Sequence, residues 1–272
     1  MPTHSNTIPV LGLGTYGRTG PEGLDALLVA LELGYRHLDT AQSYGTEQNV
    51  GEAIARSGLP RDEFFVTTKV ADTRLTTADF LPSVEKSLET LGLDQVDLLL
   101  IHWPSSKDAV PFEDYMTGLA QAKARGWARQ IGVSNFPIAL LDKADQVIGA
   151  GQIATNQIEI HPYLQSPKIR DYAASKGLTL TAYMPLAKGK VSTDKLLTAL
   201  GEKHDVTAAA IALAFLMAQG HVVIPSSARR ERLVENLAAR SVTLSPEDLA
   251  AIGALDRNER MINPEKSPRW DD

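Results

Sequence analysis

Short runs of apolar residues alternate with longer amphipathic stretches along the whole chain. Within the longer stretches, apolar residues recur with the period of a helix, as at Leu24, Leu27 and Leu31. Gly34, Gly58, Gly92, Gly126 and Gly177 stand where these helices are expected to end, and Ser245 opens a last predicted helix. The apolar runs predict eight strands, at residues 8–13, 35–38, 64–68, 96–101, 130–133, 153–158, 178–183 and 222–224.

Eight strand–helix units therefore follow one another, and no linker rich in Pro, Gly or Ser divides them. Continuous apolar strands that alternate with helices are typical of a parallel sheet covered by helices. Eight units in about 250 residues match a closed (β/α)8 barrel, the TIM-barrel fold. We predict a single α/β domain of this kind over residues 1–272, with a doubly wound open sheet as the competing architecture.

The composition narrows the class of protein. The 272 residues carry a formal charge of −6 without a basic stripe, which argues against nucleic acid as a partner. There is no cysteine, so disulfides, thiolate metal sites and a cysteine nucleophile are excluded. No apolar run approaches the length of a membrane span, and the segment MPTHSNTIPV lacks the pattern of an export signal. We expect a cytoplasmic protein with no membrane partner.

Polar side chains follow the predicted strands. In a closed barrel the carboxyl ends of all eight strands meet at one face, and that face carries the chemistry. Asp39, Lys69 and His102 end the second, third and fourth strands, and Tyr44 follows in a loop. The later strands end in Ser134 and Asn135, in Gln157 and Glu159, in Tyr183, and in Pro225, Ser226 and Ser227.

The first four of these side chains form a coherent chemical set. A tyrosine hydroxyl with a pKa of about 10 is a poor acid at neutral pH, but the ammonium of Lys69 favours the phenolate of Tyr44. Asp39 would hold that ammonium in place, and a neutral His102 could orient a substrate oxygen. Such a set can protonate the alkoxide that forms when a hydride reaches a carbonyl. Each residue alone also has an ordinary structural role, such as a helix cap or a surface position.

The exit of the last strand has the features of an anion site. Ser226 and Ser227 precede a helix that is predicted to start near Arg229, so its N–H groups and dipole favour a negative charge. The guanidinium groups of Arg229, Arg230 and Arg232 suit a phosphate. A helix start with a solvated basic face is the alternative.

Longer segments around these residues resemble the aldo-keto reductase family. They are GYRHLDTAQSYGTEQNVGEAI, FFVTTK, VDLLLIHWP, IGVSNF, NQIEIHPYLQ and VIPSSARRERLVENL, and the resemblance extends from about Ile8 to Trp270. Within the family, IATNQIE, PYLQ and VIPSS are most similar to the B type of bacterial 2,5-diketo-D-gluconate reductases, which also reduces methylglyoxal. The resemblance implies a monomeric enzyme that reduces such small carbonyl compounds to alcohols by NADPH-dependent hydride transfer, without a metal.

The resemblance also implies a role for each candidate residue. Tyr44 would be the general acid, tuned by Lys69 and Asp39, and His102 would position the carbonyl. Tyr16 and Trp103 would line the substrate pocket. The implied cofactor contacts are Ser134, Asn135, Gln157 and Tyr183 for the nicotinamide, Ser226, Ser227 and Arg232 for the 2′-phosphate, Glu235 and Asn236 for the adenine, and Gly14, Thr15, Pro185 and Leu186 for the rest of the cofactor.

Three positions depart from patterns that are common in the family. Ser226 stands where many relatives have a lysine, which removes a cation from the phosphate site and implies that NADH is tolerated. Ala71 replaces a tryptophan of some relatives, which implies a wider pocket. His102 stands where the steroid double-bond reductases of the family have glutamate, which favours reduction of C=O over C=C.

Two short motifs suggest another dehydrogenase class. Residues 12–17 fit the G-x-G-x-x-G motif of dinucleotide-binding folds, but Arg18, Thr19, Gly20 and Pro21 separate the motif from the following helix. Residues 172–176 fit the Y-x-x-x-K motif of short-chain dehydrogenases, but no TGxxxGxG segment opens the chain.

Two further alternatives concern the chemistry of the barrel. A metal-dependent hydrolase would draw its ligands from a set of carboxylates and imidazoles, although the ammonium of Lys69 would repel a divalent cation. The candidate ligands are His37, Asp39, His102, Glu159 and His161. A non-catalytic subunit that binds a nicotinamide cofactor as a sensor is the alternative outside enzymology, and it has no need of an intact acid set.

Overall fold

Eight parallel strands form one sheet, in sequence order, in the computed structural model of the protein, which describes residues 7–271. The strands are β1 Leu13–Gly14, β2 His37–Asp39, β3 Phe65–Val70, β4 Val96–Ile101, β5 Ala128–Ser134, β6 Ile153–Glu159, β7 Thr179–Tyr183 and β8 Val222–Val223. The N–H of Gly12 donates to the Val223 carbonyl over 2.9 Å, and the N–H of Val223 donates to the Val10 carbonyl over 2.8 Å. These bonds join the first strand to the last, and the predicted (β/α)8 barrel is confirmed.

Helices cover the outside of the barrel. They are α1 Gly20–Glu32, α2 Glu47–Ser57, α3 Phe80–Leu91, α4 Phe112–Ala124, α5 Ile138–Ile148, α6 Pro167–Lys176, α7 Lys195–His204, α8 Ala208–Ala218, α9 Arg230–Ala238 and α10 Pro246–Gly253. Helix α8 is buried from Ala208 to Leu216, which accounts for its almost continuous apolar sequence. None of the helices in residues 7–271 is long and apolar enough to cross a membrane.

The predicted helix ends are confirmed. Glycine in a left-handed conformation closes a helix without the strain that a side chain would cause there. Ser245 caps α10 by accepting the N–H of Asp248, and Asp248 accepts the N–H of Ser245 in return. The glycines predicted at helix ends all have positive φ: Gly34, Gly58, Gly92, Gly126 and Gly177.

The first strand is shorter than the sequence predicts. The apolar run at residues 8–13 indicates a strand of that length, but only Leu13–Gly14 pairs with β2. Just before it, the ring of His37 lies so close to Gly12 that a Cβ atom there would stand 2.6 Å from Nδ1. The same nitrogen lies 3.3 Å from the Pro9 carbonyl oxygen. Residues 10–12 therefore pair with β8 alone, and the His37 side chain of β2 contacts them on the side where pairing with β2 is absent.

Strand β5 is longer than predicted. The sequence prediction starts too late because the charged Arg129 lies near the beginning of the strand. It begins at Ala128, whereas the sequence predicts a start at residue 130. Arg129 pairs with Asp97 on the neighbouring strand β4 over 3.3 Å. The ion pair satisfies both charges, so the polar sequence does not interrupt the strand.

Both apolar and polar side chains fill the inside of the barrel. Phe65, Leu98 and Leu100 belong to one apolar cluster, and buried His37, whose ring contacts that of Phe65, bonds to Thr67 over 3.1 Å. Since alternate residues of a strand share one face, Lys69 lies on the same face of β3 as Phe65, four residues further on. The structure places Lys69 within β3, where the sequence predicts it just after the strand. The polar site therefore continues from an interior in which apolar and hydrogen-bonded polar side chains are mixed.

Candidate active site

The four side chains predicted to be catalytic meet at the carboxyl ends of the strands. Nζ of Lys69 lies 2.5 Å from Oδ1 of Asp39 and 3.4 Å from the hydroxyl oxygen of Tyr44. The Tyr44 hydroxyl oxygen lies 3.4 Å from Nε2 of His102. The barrel thus brings together residues from two strands and from the loops after β2 and β4, and the tyrosine hydroxyl lies between an ammonium and an imidazole.

Lys69 and Asp39 form a fully buried ion pair. Their side chains are 0% and 2% exposed, respectively. Lys69 also donates to the Thr40 carbonyl over 2.9 Å, and the second oxygen of Asp39 accepts from Nε2 of Gln157 over 2.7 Å. Burial is the largest single influence on Lys69 and lowers its pKa, but the Asp39 carboxylate and Tyr44 together outweigh burial, and the net pKa is raised. The lysine is therefore a fixed cation below the tyrosine.

Tyr44 occupies a short 3₁₀ turn, Gln42–Tyr44, between β2 and α2. The turn ends at Gly45, whose φ of 66° lies in the left-handed region. Burial raises the pKa of Tyr44 and is the largest influence on it, while the charge of Lys69 acts in the opposite direction. The expected lowering by Lys69 is thus present, but burial exceeds it and the phenol stays protonated at neutral pH.

His102 follows β4 directly and lies in the same cluster. Its Nδ1 is 3.2 Å from the hydroxyl oxygen of Ser43, a neighbour of Tyr44 in the turn. Burial lowers the pKa of His102 to about 3, and the charges of Lys69 and Lys266 contribute to the decrease. The imidazole is neutral at physiological pH, as the sequence predicts for a group that orients a substrate oxygen.

The residues predicted to hold the nicotinamide form one hydrogen-bonded group beside the four catalytic candidates. Asn135, in a left-handed conformation with φ of 63°, accepts from the Tyr183 hydroxyl over 2.9 Å and donates to the His102 carbonyl over 3.0 Å. The Ser134 hydroxyl donates to the Gln157 carbonyl over 2.7 Å. Strands β5, β6 and β7 thereby present amide and hydroxyl groups next to Lys69.

The residues predicted to bind a phosphate lie together at the start of α9. The Ser227 hydroxyl accepts the N–H of Arg229 over 3.1 Å, and this residue directly precedes the helix. Arg230 is paired with Glu32 over 2.9 Å, whereas the guanidinium groups of Arg229 and Arg232 make no hydrogen bond or ion pair within residues 7–271. Two guanidinium groups therefore remain without a carboxylate at this helix start.

The remaining predicted cofactor residues have mixed surroundings. Thr15 is fully buried and its hydroxyl donates to the Asp39 carbonyl over 3.0 Å. Asn236 is buried beside Tyr35, whose hydroxyl also donates to the Leu233 carbonyl over 3.1 Å. Gly14 donates its N–H to Pro225 over 3.0 Å. Their contacts with a cofactor, like those of Pro185, Leu186 and the half-buried Glu235, stay predictions.

The C-terminal segment covers one side of the candidate site, and the sequence does not reveal this. Glu159, fully buried, accepts the N–H groups of Met261 and Ile262 over 2.8 and 2.9 Å. Beyond this anchor, the ring of Trp270 packs against that of Trp103 with 6.1 Å between centroids. A glutamate at the end of the apolar strand β6 indicates that some partner binds Glu159. The sequence does not identify that partner, because the carboxylate binds backbone N–H groups and these are the same in every residue type except proline.

The two aromatic residues predicted to line the pocket differ in exposure. Tyr16 is 71% exposed, and its ring meets that of Tyr44 edge-on at 5.2 Å. Trp103 is buried beneath Trp270 and the side chain of Lys266. Tyr16 is therefore a solvent-exposed side chain at the edge of the site, and Trp103 is covered by the C-terminal segment.

The candidate metal ligands do not converge. His37 bonds to Thr67 over 3.1 Å in the lower barrel, and His161 bonds to Glu159 over 3.0 Å under the C-terminal segment. No group of three or more His, Asp or Glu side chains in residues 7–271 is arranged to hold a metal ion. The glycine motif at residues 12–17 leads into a turn, with φ of 75° at Gly17 and α1 starting only at Gly20.

Fold and site together define the class: a (β/α)8-barrel enzyme with a Tyr–Lys–Asp–His cluster at the carboxyl ends of its strands. The sequence profile of the Aldo/keto reductase family matches residues 10–257. The chain belongs to the aldo/keto reductase family, and it is an oxidoreductase.

Similar proteins carry more specific names. Methylglyoxal reductase DkgB of Salmonella typhi is 48% identical over 97% of this chain and 100% of its own length. The protein of that name from Escherichia coli O157:H7 is 47% identical over 97% of this chain and 99% of its own. A crystal structure assigned as 2,5-diketo-D-gluconic acid reductase B superposes with a TM-score of 0.94 at 43% identity, covering 98% of this chain and 95% of its own.

The neutral state of His102 can be tested by NMR. Because its pKa is lowered to about 3, the ring resonances of His102 should keep the chemical shifts of a neutral imidazole from pH 8 down to pH 5. A His102→Asn variant would assign the signals. A titration of this ring near the ordinary histidine value of about 6.5 would contradict the prediction.

Proposed function

We propose that the protein catalyses the NADPH-dependent reduction of small aldehydes and ketones, such as methylglyoxal or 2,5-diketo-D-gluconate, to alcohols. The observation that carries the proposal is the position of the Tyr44 hydroxyl, 3.4 Å from both the Lys69 ammonium and Nε2 of His102. The names of the similar reductases support the choice of substrates. The proposed enzyme is a cytoplasmic monomer, as the resemblance and composition predict.

The chemistry of the available donors fits NADPH. Arg229 and Arg232 at the start of α9 suit the dianionic 2′-phosphate, and the helix N–H groups add to the positive potential. Arg18 lies near the same place, with its Nε 3.5 Å from the Ser226 hydroxyl. The lysine that many relatives have at position 226 is missing here, but the Arg18 guanidinium supplies a cation beside Ser226. This supports a preference for NADPH with some tolerance of NADH.

The other end of the cofactor would lie beside the catalytic candidates. Asn135 and Ser134 offer amide and hydroxyl groups to a carboxamide, and Gln157 keeps its Oε1 while its Nε2 donates to Asp39. The ring of Tyr183, anchored through its hydroxyl to Asn135, offers a flat surface for stacking. When bound, the reduced nicotinamide supplies the hydride for the carbonyl carbon.

The residues of this chain would supply the proton and the orientation. Neutral His102 and the Tyr44 hydroxyl together hold the carbonyl oxygen of the substrate. As negative charge develops on that oxygen, the Tyr44 hydroxyl donates its proton to it, because an alkoxide is a much stronger base than a phenolate. The Lys69 ammonium stabilises the resulting phenolate, and Asp39 keeps Lys69 in place. Burial disfavours a free phenolate, so the proton is released only when an alkoxide is present to receive it.

Replacement of the acid tests this mechanism. Tyr44→Phe should reduce kcat for methylglyoxal by roughly 10²- to 10⁴-fold, because the variant has no proton to donate. Its Kd for NADPH, measured by fluorescence titration, should stay within about threefold of the wild-type value. Tyr172→Phe, which removes a surface hydroxyl bonded to Asp142, is the matched control and should keep full kcat. Retention of kcat by Tyr44→Phe would remove Tyr44 from its proposed role.

Cofactor choice tests the proposed phosphate site. Arg232→Ala should raise the Kd for NADPH by roughly 10- to 100-fold, the effect of losing a hydrogen bond to a charged group, and change the Kd for NADH little. Arg125→Ala is the control, since Arg125 lies just before β5 at the opposite end of the barrel. An equal loss for both cofactors would show that Arg232 does not contact the 2′-phosphate.

A further inference from the structure

The C-terminal segment places a lysine at the rim of the candidate active site. Nζ of Lys266 donates to Oδ1 of Asp72 over 2.8 Å and lies 5.6 Å from the centroid of the Trp103 ring. The side chain of Lys266 is 35% exposed and that of Asp72 is 25% exposed. The ion pair is therefore open to solvent on one side and covers part of the pocket wall on the other.

The positive charge of Lys266 acts on the position where the carbonyl would bind. It is one of the two ammonium groups that lower the pKa of His102, together with Lys69. The two cations differ in their access to a bound molecule. Lys69 is fully buried and paired with Asp39, whereas the side chain of Lys266 is partly exposed. An anionic group on a molecule bound at His102 can approach Lys266 without breaking the buried pair.

The groups around Lys266 are held more firmly than Lys266 itself. Asp72 begins a 3₁₀ turn in the loop after β3, and the N–H of the preceding Ala71 donates to Oε1 of Gln42 over 2.9 Å. Trp103 is packed against Trp270. A lysine has a flexible stem with a point charge at its end, so Nζ can change partners while these walls stay in place.

We infer that Lys266 is a specificity-determining residue that binds a carboxylate of the carbonyl substrate, exchanging its bond to Asp72 for one to the substrate. The inference rests on the proposed function and adds, within its substrate class, a preference for aldehydes and ketones that carry a carboxylate. Asp72 competes with the substrate for Lys266 and thereby limits the gain. Since the pair is partly exposed, the preference over a neutral analogue is on the order of tenfold and decreases with added salt.

The test compares two aldehydes of nearly the same shape, one charged and one uncharged. The probes are 4-carboxybenzaldehyde and its uncharged amide, 4-formylbenzamide, each followed by oxidation of NADPH in the full-length enzyme. In Lys266→Met, the ratio of kcat/KM for the acid to kcat/KM for the amide should fall about tenfold, mainly through KM. Lys266→Arg should retain most of the ratio, and Asp72→Asn should raise it.

Control variants and salt separate this inference from general effects. Lys107 pairs with Glu265 over 3.6 Å on the exposed surface, so Lys107→Met removes an equal charge and should leave the ratio at its wild-type value. Raising NaCl should lower the ratio in the wild type and have little effect on it in Lys266→Met.

Each outcome bears on one claim. An unchanged ratio in Lys266→Met would overturn the inference. So would a wild-type enzyme that reduces methylglyoxal and 4-formylbenzamide but not 4-carboxybenzaldehyde. Absence of NADPH oxidation with every carbonyl compound, methylglyoxal included, would instead refute the proposed function.

Discussion

The buried ion pair between Lys69 and Asp39 is the interaction on which the rest of the site depends. A charged lysine and a charged aspartate can be buried away from water only when they neutralise each other and their polar atoms are hydrogen-bonded. The bonds to Thr40 and Gln157 provide further hydrogen-bond partners for the pair. The pair also places the Lys69 ammonium next to the Tyr44 hydroxyl. The stability of the barrel core and the acidity of its candidate acid are thus coupled through the same two side chains.

The barrel geometry explains why these residues meet. Alternate residues of a parallel strand face the interior, so Asp39 on β2 and Lys69 on β3 meet inside the barrel. The C-terminal segment, anchored by Glu159, covers the site from the side of Trp103. Burial has two opposite consequences here, because it keeps His102 neutral and also makes Tyr44 a weaker acid than Lys69 alone would make it.

The fold and the catalytic cluster could be predicted from the sequence, because both follow from periodic signals. Apolar strands alternate with amphipathic helices along the chain, and Asp39, Lys69 and His102 each follow the apolar part of a strand. Contacts that depend on backbone groups or on distant segments could not be predicted. The bond from Gln157 to Asp39 joins opposite sides of the barrel, and the anchoring of residues 261 and 262 by Glu159 uses N–H groups that every residue has. Charged Arg129 obscured the start of β5 for the same reason, since its partner lies on another strand.

A double-mutant cycle on the ion pair tests the central claim most directly. The measured quantity is kcat for reduction of methylglyoxal by wild type, Asp39→Asn, Lys69→Met and the double variant, each shown by urea unfolding to be folded. If the pair acts on Tyr44 as one unit, the double variant should lose no more than about threefold beyond the worse single variant. Losses that multiply would contradict the account, because Lys69 and Asp39 would then contribute independently.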